Sequence, residues 1–138
     1  MENQEDKMLN INTAAKALKK AGARMTAQRY SVLEILENNT SHPTVEEIVE
    51  QVKKKIGHVS IATIYNTLDV LEEHGLVRKI HGLEAKSHYD PNTSNHHHAI
   101  CIRCKKVFDL FFKLPEANTP TNFKINDIVL QGLCSNCN

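Results

Sequence analysis

Ser60-Ile61-Ala62-Thr63-Ile64-Tyr65-Asn66-Thr67-Leu68-Asp69-Val70-Leu71 decides how the first half of the chain folds. Ile61, Ile64, Leu68 and Leu71 recur at intervals of three and four, which predicts one buried helical stripe. Ser60 stands where an N-cap is needed, and Gly75 where the helix must stop. The other face of the first turns offers Ser60, Ala62, Thr63, Tyr65 and Asn66, with no acid before Asp69. A helix that enters a DNA major groove needs such small or hydrogen-bonding groups, free of like-charge repulsion.

Upstream, Ala14, Ala15, Ala17, Leu18 and Ala21 among lysines predict a helix over 12–21, ended by Gly22. Thr26 caps the next, with Val32, Leu33 and Leu36 on one face and Ile35 beside them. After His42-Pro43, Thr44 and Glu47 have capping-box spacing, and Val45, Ile48, Val49, Val52 and Ile56 follow at helical intervals up to Gly57. Downstream, residues 76–80 read as a strand, His81-Gly82 as a turn, and Ala85 to Tyr89 as a returning strand. Helices followed by a hairpin make a winged helix. Such arrangements also occur in proteins that never touch DNA. Residues 1–80 carry eleven basic and eleven acidic groups, so their net charge of zero keeps open a zinc-stapled interaction module without DNA binding. Against that stands the run from 7 to 33, where Lys7, Lys16, Lys19, Lys20, Arg24 and Arg29 occur with no acid. Alone it reads as a solvated face. Beside a DNA-reading helix it becomes a phosphate-contact surface.

The second half has a different composition. All four cysteines follow residue 100, and six of the eight histidines lie between 74 and 98. Cys101-Ile102-Arg103-Cys104 and Cys134-Ser135-Asn136-Cys137 are two C-x-x-C pairs. Each presents two sulfurs from one tight turn, and two such turns together make a tetrahedral thiolate cage for structural zinc. A redox pair or unrelated buried thiols are the plainer alternatives. Zinc suits a second domain of roughly fifty residues, because its thin core needs a staple and metal binding free energy becomes folding free energy. In His96-His97-His98, strand alternation puts His96 and His98 on one face and His97 on the other. Two imidazoles on one face are half of a transition-metal site, and Asp90 and Asp109 are the nearby oxygen donors. Asp109 in Val107-Phe108-Asp109-Leu110-Phe111 is otherwise the solvent-facing acid of a strand, and His42 a loop residue.

Met1-Glu2-Asn3-Gln4-Glu5-Asp6 is polar and acidic, so no secretory signal is expected there, and no apolar stretch is long enough to cross a membrane. The expected location is the cytoplasm, where thiols stay reduced. Two histidines and a carboxylate also occur in iron oxygenases, but no motif supplies a nucleophile or general base. No enzyme is expected.

Taken in order, Arg24-Met25-Thr26-Ala27-Gln28-Arg29, His42-Pro43-Thr44, Ser60 to Asn66, His96-His97-His98-Ala99-Ile100-Cys101 and the second cysteine pair resemble the ferric uptake regulator family over nearly the whole chain. The likeness is strongest to its peroxide-responsive repressors, and Asp rather than Glu at 109 points to that branch. The resemblance implies an α+β chain: a winged helix-turn-helix DNA-binding domain over 1–88, then a small α/β metal-binding dimerisation domain over 89–138 with the four-cysteine zinc site. It implies a regulatory site for Fe(II) or Mn(II) made by His42, Asp90, His96, His98 and Asp109. It implies a homodimer that closes on two half-sites of double-stranded operator DNA when that metal binds, with Arg24, Gln28, Arg29, Ser60, Ala62, Thr63, Tyr65 and Asn66 at the DNA. It also implies that hydrogen peroxide reacts at Fe(II), that a coordinated histidine, His42 or His96, is oxidised, and that DNA is then released. Mn(II) supports binding without peroxide sensitivity, and the repressed genes are peroxide-defence genes. A sister repressor of iron or zinc uptake shares everything but the signal.

Three departures accompany the resemblance. Ala27 stands where the family has Pro. The segment between Asp109 and Cys134 is short and holds Pro115 and Pro120 where a helix is usual. The sequence ends one residue after Cys137, so the further C-terminal ligands of some relatives are not expected.

Overall fold

The computed structural model describes residues 8–112 and 120–138. Lys7 and Pro115 lie outside the described residues. Internal contacts divide the chain into Met1–Ser94 and Asn95–Asn138, later than the expected division after residue 88. Pairing sets that boundary. The second strand of the hairpin runs to Asp90, and beyond it Leu9 N–H donates to the Pro91 carbonyl at 3.0 Å while Met8 bridges Asn92.

The first unit is built from α1 (Ile11–Lys20), α2 (Ala27–Leu36), α3 (Val45–Ile56) and α4 (Ile61–Glu73), followed by the antiparallel pair β1 (Arg78–His81) and β2 (Ser87–Asp90). Each helix starts at a side-chain cap: Asn10, Thr26, Thr44 and Ser60 accept from the N–H three residues on. Such caps contribute about 1 kcal/mol apiece. In α3 the Thr44 cap is joined by Glu46 and Glu47 in the first turn and Lys53, Lys54 and Lys55 in the last, which complements the helix dipole at both ends. Gly57 closes the helix at φ 83, a left-handed conformation that costs glycine nothing.

Leu18, Val32, Leu33, Leu36, Ile48, Val52, Ile64, Leu68 and Leu71 fill one core, each with no exposed surface. The apolar residues expected along α2 and α3 are buried, with Ile35, Val49 and Ile56 half-buried at their edges, and α1 buries Ala14, Ala15 and Leu18 while Ala17 is half-buried and Ala21 exposed. The expected stripe of α4 needs a correction at its start, because Ile61 is 58% exposed and Thr67 is fully buried instead. Thr67 satisfies its hydroxyl on the Thr63 carbonyl at 2.7 Å and so enters the core without leaving a polar group unpaired.

The hairpin also differs from its expected bounds. Leu76 N–H caps the end of α4 on the Leu71 carbonyl and Val77 is buried, so the strand begins at Arg78 rather than Leu76. The turn covers 82–86 instead of His81-Gly82. It is closed by Gly82 N–H on the Lys86 carbonyl at 2.7 Å, with Glu84 and Ala85 at positive φ.

Asn95–Asn138 holds β3 (His97–Cys101), β4 (Val107–Leu110) and β5 (Val129–Gly132) in the order β4-β3-β5. β3 pairs antiparallel with β4, His98 opposite Asp109, and parallel with β5, His98 opposite Val129. The parallel partner requires the long connection between Leu110 and Val129. With the four helices of the first unit and these strands, the chain has the expected α+β class. Among the described residues of the second unit Ile100, Cys101 and Val107 are the buried apolar ones, while Phe111, Phe112, Phe123, Leu130 and Leu133 are exposed.

Candidate metal centres and nucleic-acid interface

The two C-x-x-C turns converge. Sγ atoms of Cys101, Cys104, Cys134 and Cys137 all lie within 4.8 Å of one another, and Cys104 and Cys134 are 3.8 Å apart. Zinc–sulfur bonds of about 2.3 Å in a tetrahedron put neighbouring sulfurs about 3.8 Å apart, so the cage fits that ion. Backbone shapes it: Lys105 N–H returns to the Cys101 carbonyl at positive φ, and Cys137 N–H to the Cys134 carbonyl. The N–H groups of Cys104 and Cys134 both point at Cys101 Sγ at 3.5 Å. These two donors hold the Cys101 thiol down at about 5, against an ordinary 9.0. The thiolate that zinc requires is thus favoured at Cys101 before metal arrives. A side-chain hydrogen bond with Cys134, with burial behind it, pushes the Cys137 thiol up to about 12.

On the other end of β3 the second unit gathers a histidine–carboxylate set. His96 Nε2 lies 3.2 Å from Asp109 Oδ1, and His98 Nε2 lies 3.5 Å from the same oxygen. The two imidazoles meet edge to face at 4.6 Å, and both are buried. His97 points elsewhere: its ring lies over Phe112, and its Nδ1 accepts from Ile128 N–H at 3.0 Å. The alternation expected along the three histidines is therefore present. Separations of 3.2–3.5 Å are longer than good hydrogen bonds, which cluster near 2.9 Å. They suit donors set at right angles around one ion with bonds of about 2.1 Å, whose neighbours stand about 3 Å apart.

In the first unit His42 Nε2 stands 3.4 Å from Asp90 Oδ2, both almost wholly buried. His42 has φ 53, in the left-handed region where a side chain other than glycine costs of order 1 kcal/mol. Strand β2 holds it there. Tyr89 N–H donates to the Pro43 carbonyl at 2.8 Å, and His88 Nδ1 donates to the His42 carbonyl at 2.7 Å. His88 was not legible as a positioning group, since its only signal is its place in a strand one residue from Tyr89. Its ring packs on Gly82, where an added Cβ would stand 2.8 Å from His88 Cδ2 and 2.9 Å from the Lys86 carbonyl oxygen. Gly82→Ala is expected to destabilise the first unit by about 1–3 kcal/mol, read as a lower urea midpoint. An unchanged midpoint would mean that the His88 ring yields freely.

The second missed residue is Asp127, whose carboxylate oxygens lie 3.1 and 3.3 Å from His98 Nδ1. Nothing in its local spacing marks it, because the contact spans 29 residues.

The residues expected at DNA all lie in the first unit. Ala62, Tyr65 and Asn66 are exposed on α4, Thr63 is half-buried, and Ser60 is the N-cap. Gln28 Oε1 accepts the Ser60 N–H at 2.6 Å, which ties α2 to the start of α4. Arg24 is exposed, and half-buried Arg29 donates from Nη1 to its carbonyl. None of the described helices is long and apolar enough to cross a membrane.

The model of the ferric uptake regulator family matches residues 20–131. The peroxide operon regulator of Bacillus subtilis is 37% identical over 134 residues, covering 92% of each chain. The crystal structure of the Campylobacter jejuni peroxide stress regulator superposes with a TM-score of 0.62 at 29% identity, covering 94% of this chain and 100% of that one. The Helicobacter pylori ferric uptake regulator gives 0.75 at 21% identity over 95% of both chains, a likeness of fold. A winged helix, a four-thiol cage and buried histidine–carboxylate sets accompany the family match, and the chain belongs to the ferric uptake regulator family of metal-dependent transcriptional regulators.

Proposed function

We propose that this chain is a cytoplasmic, homodimeric repressor that binds double-stranded operator DNA when loaded with Fe(II) or Mn(II) and senses hydrogen peroxide by oxidation of a metal-ligand histidine. The observation that carries the reading is Asp109, a carboxylate shared by two buried imidazoles at distances suited to a common ion. The similarity to peroxide regulators adds the signal. His42, Asp90, His96, His98 and Asp109 would hold the regulatory ion together, and the four cysteines a structural zinc. Ala62, Thr63, Tyr65 and Asn66 would meet base edges, with Ser60 and Gln28 fixing the start of the helix and Arg24 and Arg29 serving phosphates.

Fe(II) held by those residues would catalyse O–O cleavage of hydrogen peroxide beside the imidazoles, with no net change in the metal's oxidation state. His42 or His96 then gains one oxygen on its ring, the other peroxide oxygen leaving as water. An oxidised ring is a poorer donor, so the site loses affinity and the DNA-binding form loses population. No further motif supports turnover of a substrate, and the role is regulatory.

The test loads the zinc-containing dimer with Fe(II) without oxygen, adds hydrogen peroxide, and maps oxidation by peptide mass spectrometry beside a Mn(II) control. One added oxygen on His42 or His96 in the iron sample alone is expected. Absence of histidine oxidation would move the chain to the metal-uptake branch of the family, as an iron- or zinc-uptake repressor.

A further inference from the structure

The Asp127 carboxylate has no counterpart among the five ligands, yet it touches one of them within the second unit. His98 has no exposed surface, and its ring stands between two carboxylates. Nδ1 lies 3.1 Å from Asp127 Oδ1, and Nε2 lies 3.5 Å from Asp109 Oδ1. An ionised carboxylate can only accept, so a hydrogen bond to Asp127 requires the proton on Nδ1. A neutral imidazole carries one such proton. The shorter contact takes it, since hydrogen bonds weaken steeply beyond about 3.2 Å. Nε2 is then left as a lone pair facing Asp109.

We infer that Asp127 is a positioning residue that holds His98 in the Nδ1–H tautomer and so presents Nε2 as a metal donor. Two features keep Asp127 in place. It directly precedes Ile128, whose N–H is fixed on His97 Nδ1 and whose carbonyl accepts from His98 N–H at 3.0 Å. It also lies two residues ahead of the parallel strand β5, whose Val129 is the register partner of His98. Without Asp127 the imidazole proton is drawn to Nε2, which faces Asp109, and there it blocks coordination. A ligand imidazole whose second nitrogen donates to a carboxylate is also more basic and fixed in orientation.

The inference rests on the proposed regulatory site for its meaning, but its first readout does not. Zinc-loaded full-length protein labelled with nitrogen-15 in histidine is examined without regulatory metal at pH 8 by long-range proton–nitrogen correlation. His98 is expected to carry its proton on Nδ1 in the native chain and on Nε2 in Asp127→Ala, with Asp127→Glu restoring Nδ1. The same three proteins are titrated with Mn(II), free ion being followed by electron paramagnetic resonance. Asp127→Ala is expected to weaken Mn(II) binding by about 10–100-fold, with partial recovery in Asp127→Glu. A native His98 with its proton on Nε2, or one unchanged in Asp127→Ala, overturns the inference. So does a Mn(II) affinity that stays within twofold in Asp127→Ala. A native chain that takes up no Mn(II) while showing the expected tautomer switch supports the orienting contact and overturns the metal-site reading instead.

Discussion

Asp109→Ala is expected to abolish metal-dependent DNA binding while leaving the zinc cage full. Asp109 Oδ1 is the common neighbour of His96 Nε2 and His98 Nε2, at 3.2 and 3.5 Å. Removing it strips negative charge and one donor from a buried pair of imidazoles. The loss of Mn(II) affinity is expected to exceed about a hundredfold, the upper end of what a partner outside the coordination sphere costs. Metal shifts a conformational population only by binding one form better, so the DNA response falls with the site. Retention of an operator fragment across a salt series, with and without Mn(II), measures this. The native protein is expected to bind in a salt-sensitive, Mn(II)-dependent manner, and the variant at a weak level independent of Mn(II). Zinc content and the melting temperature should change little, because β4 keeps its pairing to β3 through Val107 and Phe108 as well. An unchanged Mn(II) response would place the regulatory ion elsewhere.

What could be read from sequence, and what could not, follows the range of the interaction. The N-caps Thr26, Thr44 and Ser60 and the stop at Gly57 depend on neighbours three or four residues away, and the structure has them where spacing puts them. The C-x-x-C turns are local too, and two paired thiols in one chain leave few ways to satisfy them. The His96 and His98 face follows from alternation alone. Periodicity cannot say where along a helix burial begins, so it places Ile61 with the buried stripe although Ile61 is 58% exposed. It cannot say which turn closes a hairpin when residues such as Glu84 and Ala85 adopt positive φ without glycine. Asp127 and His88 were invisible for another reason. Their contacts span 29 and 46 residues and depend on which strand lies beside which, and no pattern within either segment encodes that. The two groups are alike in what they do: each fixes a proposed ligand by hydrogen bonding, Asp127 at a ring nitrogen and His88 at a backbone carbonyl. Ligand identity is written in residue type, whereas ligand orientation is written in tertiary structure.

Cys101→Ser is expected to unfold the second unit rather than to tune its response. Asn95–Asn138 buries few apolar side chains among its described residues, chiefly Ile100 and Val107 beside Cys101 itself, and leaves Phe111, Phe112, Phe123, Leu130 and Leu133 exposed. Its strands need another source of stability. Apparent binding free energies for structural zinc are about 10–16 kcal/mol, as large as the whole stability of an ordinary domain at about 5–15 kcal/mol. Cys101 is the worst cysteine to lose. It is the buried member of the four, and it alone receives N–H groups from both turns, from Cys104 and from Cys134. These same donors make its thiolate easy to form, at about 5, whereas a serine hydroxyl stays protonated and is no zinc ligand at neutral pH. Zinc loss measured by a chromogenic chelator, loss of amide protection across β3, β4 and β5, and a shift to monomer in sedimentation are the expected results. The helices α1 to α4, which have their own core, should keep their circular dichroism. Cys104→Ser, at an exposed position and outside that pair of N–H bonds, should release zinc more slowly. A Cys101→Ser protein that is zinc-free yet dimeric and fully protected would show that the sheet stands without its staple, and the cage would then need a function other than folding.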